Sequence, residues 1–383
     1  MGEVERVLVV GAGIAGLSAS TALGQVGIGV DLVEIQPAPS SDGTGIQQPG
    51  NAIRAFKALG LLDQLREQGY RFKRSGFCDA AGNVLSTTTH DPHEELAGNG
   101  IARPRLHDIL AKAALDNGTI FRTALTVDAL EQTPDRVEVL FSDGTSGSYD
   151  LVIGADGINS KVRHLVFGDE PSPRFTGEMV WRCNVPRLPS VEGTWIYMAI
   201  GARAGVIPIA DDLMYVFLIE SPRDGEMRIA DEHLAEVFRD RLAGYGGIIA
   251  QVRDGPLSEP QPPILHRPLE SLMLTPDWYR GRVVIIGDAA HAMTPHLGQG
   301  AAQAVEDGLV LSRLLARGGQ RLAVVLEEFM ARRHDRCKEA LENSLQLGQW
   351  EVERRTDADF VGVANRVWEL NRQPFFEDLE QVR

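Results

Sequence analysis

The sequence predicts an α/β (α+β) protein in which a parallel sheet with crossover helices is interrupted by a mostly antiparallel sheet and followed by helices. Short, apolar, β-branched runs end in glycine-rich turns that open helices, both near the start of the 383-residue chain and after residue 282. Between them, turn residues punctuate short β-like runs, the pattern of antiparallel strands. We expect residues 1–170 and 276–383 to be two parts of one domain, the latter with the C-terminal helices, and residues 171–275 to be an inserted sheet domain.

The first glycine-rich turn has the form of a dinucleotide cradle in a Rossmann-like unit. An apolar strand at 7–10 ends in the GxGxxG motif of residues 11–16, before a predicted helix and a second strand at 28–33. In such a unit Gly11 permits the tight turn and Gly13 lets the backbone approach a pyrophosphate. Gly16 lets the helix pack on the strand. The alternative is a glycine-rich turn that binds nothing, and the motif does not choose between NAD and FAD.

The residues around these glycines complete the predicted cradle. Ile14 and Ala15 lie where free N–H groups at a helix N-terminus attract phosphate. Glu34 ends the second strand, 23 residues after Gly11, and is placed to accept hydrogen bonds from a ribose.

A second strand-turn-helix segment contains an acid between glycines. The apolar strand at 151–154 leads to Asp156 and Gly157, and Arg163 follows in a predicted helix. The preceding residues 137–149 predict a hairpin around a Ser-Asp-Gly turn. Taken alone, this segment is equally well interpreted as an ordinary strand, turn and helix.

A third segment repeats the arrangement downstream. The apolar strand at 282–286 ends at Gly287 and Asp288, and a turn from Pro295 to Gly300 precedes a predicted helix at 301–315. An acid at a strand end can bind a sugar hydroxyl, and a glycine-rich turn that opens a helix presents N–H groups to an electron-rich carbonyl.

The three segments together resemble the FAD-binding motifs of the single-component FAD-dependent aromatic hydroxylases, the family of para-hydroxybenzoate hydroxylase, salicylate hydroxylase and 6-hydroxynicotinate monooxygenase. Their order and spacing match across nearly the whole chain. The resemblance implies a Rossmann-like FAD-binding domain with an inserted β-sheet substrate domain. It also implies FAD contacts for these residues: Gly11, Gly13, Ile14, Ala15, Gly16, Glu34, Gln47, Arg103, Asp156, Gly157, Arg163, Gly287, Asp288, Pro295, Gly298, Gln299 and Gly300.

Within that set the resemblance implies different roles. Asp156, Gly157 and Arg163 are expected near the pyrophosphate and the path of the reductant, and Asp288 on the ribityl chain. The turn from Pro295 to Gly300 is expected to flank the isoalloxazine.

Tyr215 and Pro295 are the expected catalytic residues. Tyr215 lies mid-strand in the inserted sheet, where a core tyrosine is the alternative interpretation. Pro208 resembles a proline over the active site. The arginine that urate-hydroxylating relatives carry in this region is replaced by Ala204-Gly205, which argues against urate.

The chemistry implied by the resemblance is hydroxylation of a small aromatic or heteroaromatic ring. NADH or NADPH docks transiently and reduces the non-covalent FAD, and oxygen from O2 reaches the ring through a flavin C4a-hydroperoxide. Two alternatives stay open: a flavin epoxidase on the same scaffold, and a non-catalytic protein that binds flavin or ligand and shelters a reactive intermediate. A plain NAD dehydrogenase leaves the third segment unexplained, and residues 181–186 lack the second tryptophan of the halogenases.

Composition excludes several classes of partner. A net charge of −15 lacks the basic footprint of a nucleic-acid binder and disfavours anionic lipid. The 3 cysteines are scattered, which argues against a disulfide framework and a cysteine zinc site. We expect no metal, since the histidines at 291 and 296 belong to the third flavin segment. Residues 1–5 lack the basic n-region of a signal peptide, and no apolar stretch is long enough to span a bilayer, so we expect a cytoplasmic protein. We also expect a monomer or homodimer.

Overall fold

The computed structural model describes residues 3–38, 43–91, 93–169, 171–225, 227–258, 263–373, 375–376 and 379. Met1 and Gly2, two of the five residues on which the expectation of no signal peptide rests, lie outside these residues. The strands are β1 Arg6–Val10, β2 Gly29–Val33, β3 Gly45–Gln48, β4 Tyr70–Arg71, β5 Arg74–Asp79, β6 Val84–Thr89, β7 Asn99–Ala102, β8 Ile120–Arg122, β9 Val127–Gln132, β10 Val137–Phe141, β11 Ser146–Tyr149, β12 Leu151–Gly154, β13 Arg174–Pro186, β14 Trp195–Ala199, β15 Ala202–Pro208, β16 Leu213–Glu220, β17 Leu265–Ser271, β18 Tyr279–Arg280 and β19 Val283–Ile285. The helices are α1 Ile14–Gln25, α2 Gly50–Ala58, α3 Leu62–Gln68, α4 Arg103–Asp116, α5 Lys161–Phe167, α6 Leu234–Arg241, α7 Gly247–Asp254, α8 Asp288–His291, α9 Gly300–Ala316, α10 Leu322–Val352 and α11 Phe360–Arg372.

A six-stranded sheet in the order β18-β19-β12-β1-β2-β8 forms the first layer, and its strands are parallel except for β18. Strands β1, β12 and β19 are apolar and buried, as expected where helices cover both faces. In the register Val152 lies beside Val283, so the segment after the insertion returns to the first sheet. The sheet therefore joins the two predicted parts of one domain.

The second large sheet has seven strands in the order β17-β13-β16-β15-β14-β5-β6 and is antiparallel except at the β14–β5 pair. The predicted fold class is confirmed. Strands β5 and β6 come from residues 74–89, so the sheet also uses chain from outside residues 171–275. The domain boundaries at 170 and 275 stay a prediction.

Alternation along these strands gives the second sheet two different faces. On β16, Met214, Val216 and Leu218 point into a core that includes Phe238 of α6 and Ile249 of α7. The intervening residues of β16 point the other way, toward the first domain. One face of the seven-stranded sheet therefore packs against α6 and α7, and the other, which we call its front, faces the parallel sheet.

The C-terminal helices pack on the first domain and on the seven-stranded sheet. The 31-residue α10 packs on α9, and α11 brings Trp368 onto Leu297, whose carbonyl accepts a 3.0 Å hydrogen bond from the indole N–H. Phe376 is buried in the core of the first domain. Trp368, Phe375 and Phe376 near the C-terminus therefore pack on the body of their own chain, while Pro374 lies outside the described residues. Among the helices described, none combines the length and hydropathy needed to cross a membrane.

Candidate active site

A cavity of about 630 Å³ lies between the ends of the parallel strands and the front of the seven-stranded sheet. We call it the main cavity. Its first half is lined by residues of the predicted cofactor cradle and its second half by side chains of the sheet. Of the predicted site residues, it is lined by Gly13, Ile14, Ala15, Gln47, Arg103, Gly157, Tyr215, Asp288, Pro295, Gly298 and Gly300.

The first turn shows how the GxGxxG motif positions the N-terminus of α1. Gly11 has φ +102°, and a Cβ on Gly16 would lie 1.9 Å from the Gly11 carbonyl oxygen, so both positions need glycine for packing. A Cβ on Gly13 would meet no heavy atom within 4 Å, which leaves its backbone open toward the main cavity. Gly11 and Gly16 thus shape the cradle, while Gly13, Ile14 and Ala15 line it.

Glu34 lies beside this turn at the end of β2. Its Oε2 accepts a hydrogen bond from the Ala12 N–H at 2.8 Å, and its Oε1 accepts one from the Gln36 N–H at 2.9 Å. His107 was not singled out from the sequence, yet it lines the main cavity with Nε2 3.0 Å from the Ala12 carbonyl oxygen. The Glu34 carboxylate therefore holds the turn in place and still has lone pairs that can accept a hydrogen bond from a ribose hydroxyl.

In the second predicted segment, the side chains of Asp156 and Arg163 are bonded to the protein itself. Both Asp156 oxygens are occupied within the segment, by the Ser160 hydroxyl and by the Val162 N–H at 3.0 Å. The Arg163 guanidinium is buried and donates to the carbonyls of Ile158 and Ala289 at 2.8 Å. Asp156 and Arg163 therefore fasten the Gly157 turn, which lines the main cavity, to the third segment.

The third segment places an unpaired acid at the floor of the main cavity. Gly287 has φ +61°, and its N–H donates to Asp307 Oδ2 at 3.0 Å. The Asp288 carboxylate makes no hydrogen bond or ion pair with any described residue. Water in the open cavity reaches it, but surrounding protein withdraws it from bulk solvent and raises the pKa of the carboxyl.

The turn that follows leads into the 17-residue helix α9. Pro295 and Gly300 line the main cavity, and Gly298 between them adopts the left-handed conformation with φ +66°. The Gln299 side chain is buried and turned away, and its Oε1 accepts a 3.0 Å hydrogen bond from the Asn51 amide. Of the residues from Pro295 to Gly300, all but Gln299 line the main cavity.

The front of the seven-stranded sheet supplies the other wall. Tyr215, Phe217 and Ile207 line it, with Arg182 among these apolar side chains. Gln47 of β3 also lines it, and its Oε1 accepts a 3.1 Å hydrogen bond from the Thr194 hydroxyl. The sheet thus builds a mostly apolar chamber with a few polar groups, typical of a pocket for a small ring system.

Two of these groups have shifted pKa values. Burial raises the pKa of the Tyr215 phenol, which therefore stays protonated at neutral pH. Burial and the neighbouring Arg103 lower the pKa of Arg182 to about 10, so its guanidinium still carries a charge. It makes no hydrogen bond or ion pair with a described residue. A cation held in this way favours an anionic or strongly polar group in the chamber.

Sequence reasoning missed a buried polar cluster behind Pro295. His296 lies between Glu178 of β13 and Glu351 of α10, and Arg203 of β15 is bonded to Glu351. Arg203 lines the main cavity one position before Ala204-Gly205, but its Nε is engaged by Glu351. These residues are far apart in sequence and only His296 adjoins a motif, so no local pattern announces the cluster.

Two buried groups in the described chain contain three side chains of metal-binding type: His291, Asp307 and Cys337, and Glu178, His296 and Glu351. In the first group Asp307 already pairs with His291 and with Arg333, each at 2.7 Å. In the second group, Arg203 neutralises the charge of Glu351. The expectation that no metal binds stays a prediction.

The residues present fit a flavin dinucleotide. The open Gly13 backbone at the N-terminus of α1 suits a pyrophosphate, and the unpaired Asp288 carboxylate suits the hydroxyls of a polyol chain. The N-terminus of α9, reached through Gly298 and Gly300, suits an electron-rich ring carbonyl. The three features line one cavity.

Comparison with known proteins gives a consistent result. Residues 5–344 match the family model described as FAD binding domain. The 2-heptyl-3-hydroxy-4(1H)-quinolone synthase of Pseudomonas aeruginosa strain UCBPP-PA14 is 36% identical over 355 residues, 90% of each chain. The aurachin C monooxygenase/isomerase of Stigmatella aurantiaca is 32% identical over 353 residues, also 90% of each. The structure of Klebsiella pneumoniae HpxO complexed with FAD and uric acid superposes with a TM-score of 0.81 at 24% identity, covering 98% of this chain and 94% of that one.

Proposed function

The chain belongs to the family of FAD-dependent monooxygenases that share the FAD binding domain, and from this premise we propose how its residues act and what class of ring they bind. The family and the cofactor predicted from the sequence are confirmed. The protein is an FAD-dependent enzyme that acts on aromatic or heteroaromatic substrates. The non-catalytic and epoxidase alternatives receive no support.

We propose that the cofactor lies along the first half of the main cavity. Gly13, Ile14 and Ala15 hold the pyrophosphate, Glu34 the ribose and Asp288 the ribityl chain. The turn from Pro295 to Gly300 flanks the ring. When bound, FAD supplies the redox chemistry, taking reducing equivalents from NADH or NADPH and activating O2.

We propose that the substrate is a fused, oxygen-bearing heteroaromatic ring of the quinolone type, held against the sheet. The single observation that carries this proposal is the charged, unpaired Arg182 among apolar side chains of the chamber. Arg182 binds the ring oxygen and favours its anionic form, which enriches the ring in electrons. Tyr215 donates a hydrogen bond, and the apolar wall excludes water. The name of the Pseudomonas aeruginosa relative, a hydroxyquinolone synthase, agrees with this class.

The experiment is NAD(P)H consumption by the FAD-loaded protein in air, with mass spectrometry of each mixture. The panel contrasts 2-alkyl-4-quinolones with 4-hydroxybenzoate, salicylate and 6-hydroxynicotinate. We expect a quinolone to accelerate consumption and to gain one oxygen atom. Acceleration and product with a simple benzoate alone would refute the quinolone class while leaving the monooxygenase intact.

We also propose that the protein is a monomer or homodimer in the cytoplasm. Its support is that the three cysteines are free and buried, as in a protein kept in a reducing environment. Size-exclusion chromatography with light scattering checks the oligomeric state.

A further inference from the structure

The buried polar cluster behind Pro295 consists of Glu178, His296, Glu351 and Arg203. His296 Nε2 lies 3.3 Å from Glu178 Oε2 and 3.5 Å from Glu351 Oε2. The His296 and glutamate side chains are at most 1% exposed, and that of Arg203 is 4% exposed. The four side chains come from four separate elements that meet only in the folded protein.

This cluster is not arranged as a well-satisfied structural ion network. Both Glu178 oxygens, Glu351 Oε2 and His296 Nε2 lack a hydrogen-bond partner of good geometry. Unsatisfied buried groups of this kind destabilise a fold. Gly348 in the middle of α10 makes room for them, since a Cβ there would lie 2.5 Å from Glu178 Oε2 and 3.0 Å from His296 Cε1. Glycine also weakens a helix interior.

The charges in the cluster leave one proton to be shared. Arg203 balances Glu351, and the pKa of Glu351 is lowered because Arg203 and His296 outweigh its burial. Burial raises the pKa of Glu178. Burial and Arg203 lower the pKa of His296, but the two glutamates outweigh them and the net shift is upward. A divalent cation is not needed for neutrality, because a single proton held between His296 and Glu178 achieves it.

The cluster separates two cavities. On one side, Thr294 and His296 line the main cavity, and the Thr294 Oγ1 lies 3.0 Å from His296 Nδ1. On the other side, Glu351 lines a second cavity of about 480 Å³, next to Tyr245. Its remaining charged groups are Glu220, Arg223, Asp240, Arg241 and Arg354. The wall of this second cavity includes Ile200 and Val352, which are 59% and 39% exposed, so it reaches the protein surface.

We propose that Thr294, His296 and Glu351 form a proton path that carries the substrate's acidic proton from the main cavity to the second cavity. The proposal rests on the proposed function, because that reaction needs an electron-rich, deprotonated ring and therefore a group that takes up the ring's proton. Thr294 accepts the proton from the ring O–H or N–H and passes its own hydroxyl proton to His296 Nδ1. The Nε2 proton moves to Glu351, and from there to water in the second cavity.

The step is balanced without any further reactant. One O–H or N–H bond of the substrate breaks, one proton reaches solvent, and His296 ends as the other neutral tautomer. No electrons are transferred. Arg182 holds the anion that remains in the chamber.

The first test needs no substrate. In the FAD-loaded protein, solvent exchange of the imidazole N–H protons is measured by ¹⁵N NMR, with signals assigned through H296Q and H291Q. His291 is the internal control, because it is equally buried and paired with an acid but lines neither cavity. We expect His296 to exchange at least about tenfold faster than His291, and E351Q to abolish the difference. Equal, slow exchange of both histidines would overturn the path, whatever the substrate proves to be.

The second test uses the ring that the panel identifies as substrate. We expect T294V to lower the hydroxylation rate about 10²-fold and to move the rising limb of its pH profile toward the pKa of the free substrate. T294S restores both. H334Q, a control at a histidine of α10 that lines neither cavity, leaves the rate and the pH profile unchanged.

The outcomes of these tests distinguish a failure of the proton path from a failure of the proposed function. An unchanged pH profile in T294V, or a loss that T294S does not rescue, shows that the cluster is only structural. A stoichiometric divalent metal that is lost in E178Q would also overturn the proton path. A wild-type protein that oxidises no ring in the panel, but shows fast His296 exchange, contradicts the proposed function alone.

Discussion

Alanine at Gly16 and alanine at Gly13 test the cradle in two different ways. A Cβ on Gly16 would lie 1.9 Å from the Gly11 carbonyl oxygen, whereas real Cβ contacts are essentially never shorter than 3.0 Å. Helix α1 must therefore retreat from β1 by about 1 Å. Overpacking of this kind costs about 1–3 kcal/mol. The retreat also moves the N-terminus of α1, and with it the N–H groups that face the phosphates.

For G16A we expect both stability and FAD binding to fall. For a chain of 383 residues, a loss of about 1–3 kcal/mol lowers the Tm of the FAD-free protein by roughly 1–4 °C. The same energy, if it is also lost from binding, weakens FAD affinity by about 5- to 150-fold. G13A has no such clash, because nothing lies within 4 Å of its Cβ. Its Tm without FAD stays within about 1 °C, while FAD affinity falls at least tenfold because the methyl group occupies the approach of the pyrophosphate.

The assay combines thermal unfolding of the FAD-free protein with titration of FAD, followed by flavin fluorescence. An unchanged Tm in G16A would refute the packing argument. Wild-type FAD affinity in G13A would show that the pyrophosphate does not approach this backbone, and the placement of the cofactor along the main cavity would fail.

Three further predictions concern other parts of the site. R182M should weaken binding of an anionic ring by about 10- to 100-fold, measured by calorimetry, since it removes a charged hydrogen bond. R174M, at an exposed arginine of the same strand that does not line the main cavity, should change binding less than about threefold. D288N should weaken FAD binding but raise the Tm of the FAD-free protein at neutral pH. Because the folded-state pKa of Asp288 is raised, its ionisation opposes folding above that pKa, and the Tm gain should vanish below pH ~4; a gain that persists there would contradict the assignment. G348A should lower the Tm despite the better helix propensity of alanine, because its Cβ would lie 2.5 Å from Glu178 Oε2; a higher Tm would show that the cluster relaxes freely.

The cofactor half of the site was predictable because its motifs are local. A GxGxxG turn between a strand and a helix is constrained by backbone sterics within a few residues, so Gly11, Gly13 and Gly16 announce their roles in order. The acid at the end of each apolar strand is also visible, as with Glu34 and Asp288. Even here the sequence did not separate groups that face the cavity from groups that fasten it. Asp156 is hydrogen-bonded within its own segment, and Arg163 bonds both that segment and Ala289 of the third segment.

The substrate half was less predictable because a strand's alternation does not say which face is the cavity. Tyr215 and its neighbour Val216 have equally β-favouring side chains, and only the packing of α6 and α7 behind the sheet assigns Val216 to the core. Arg182 likewise becomes notable only when no partner is found for its guanidinium.

The sequence by itself determined the order of the strands and glycine-rich turns, the dinucleotide cradle and the family, since each depends on residues close together in the chain. Only the tertiary structure decided which strands joined the second sheet, where Trp368 docked and which buried charges met. Glu178, His296 and Glu351 are separated by 118 and 55 positions. Their shared proton is a property of distances and burial, which arise when separate elements pack and which no local pattern encodes.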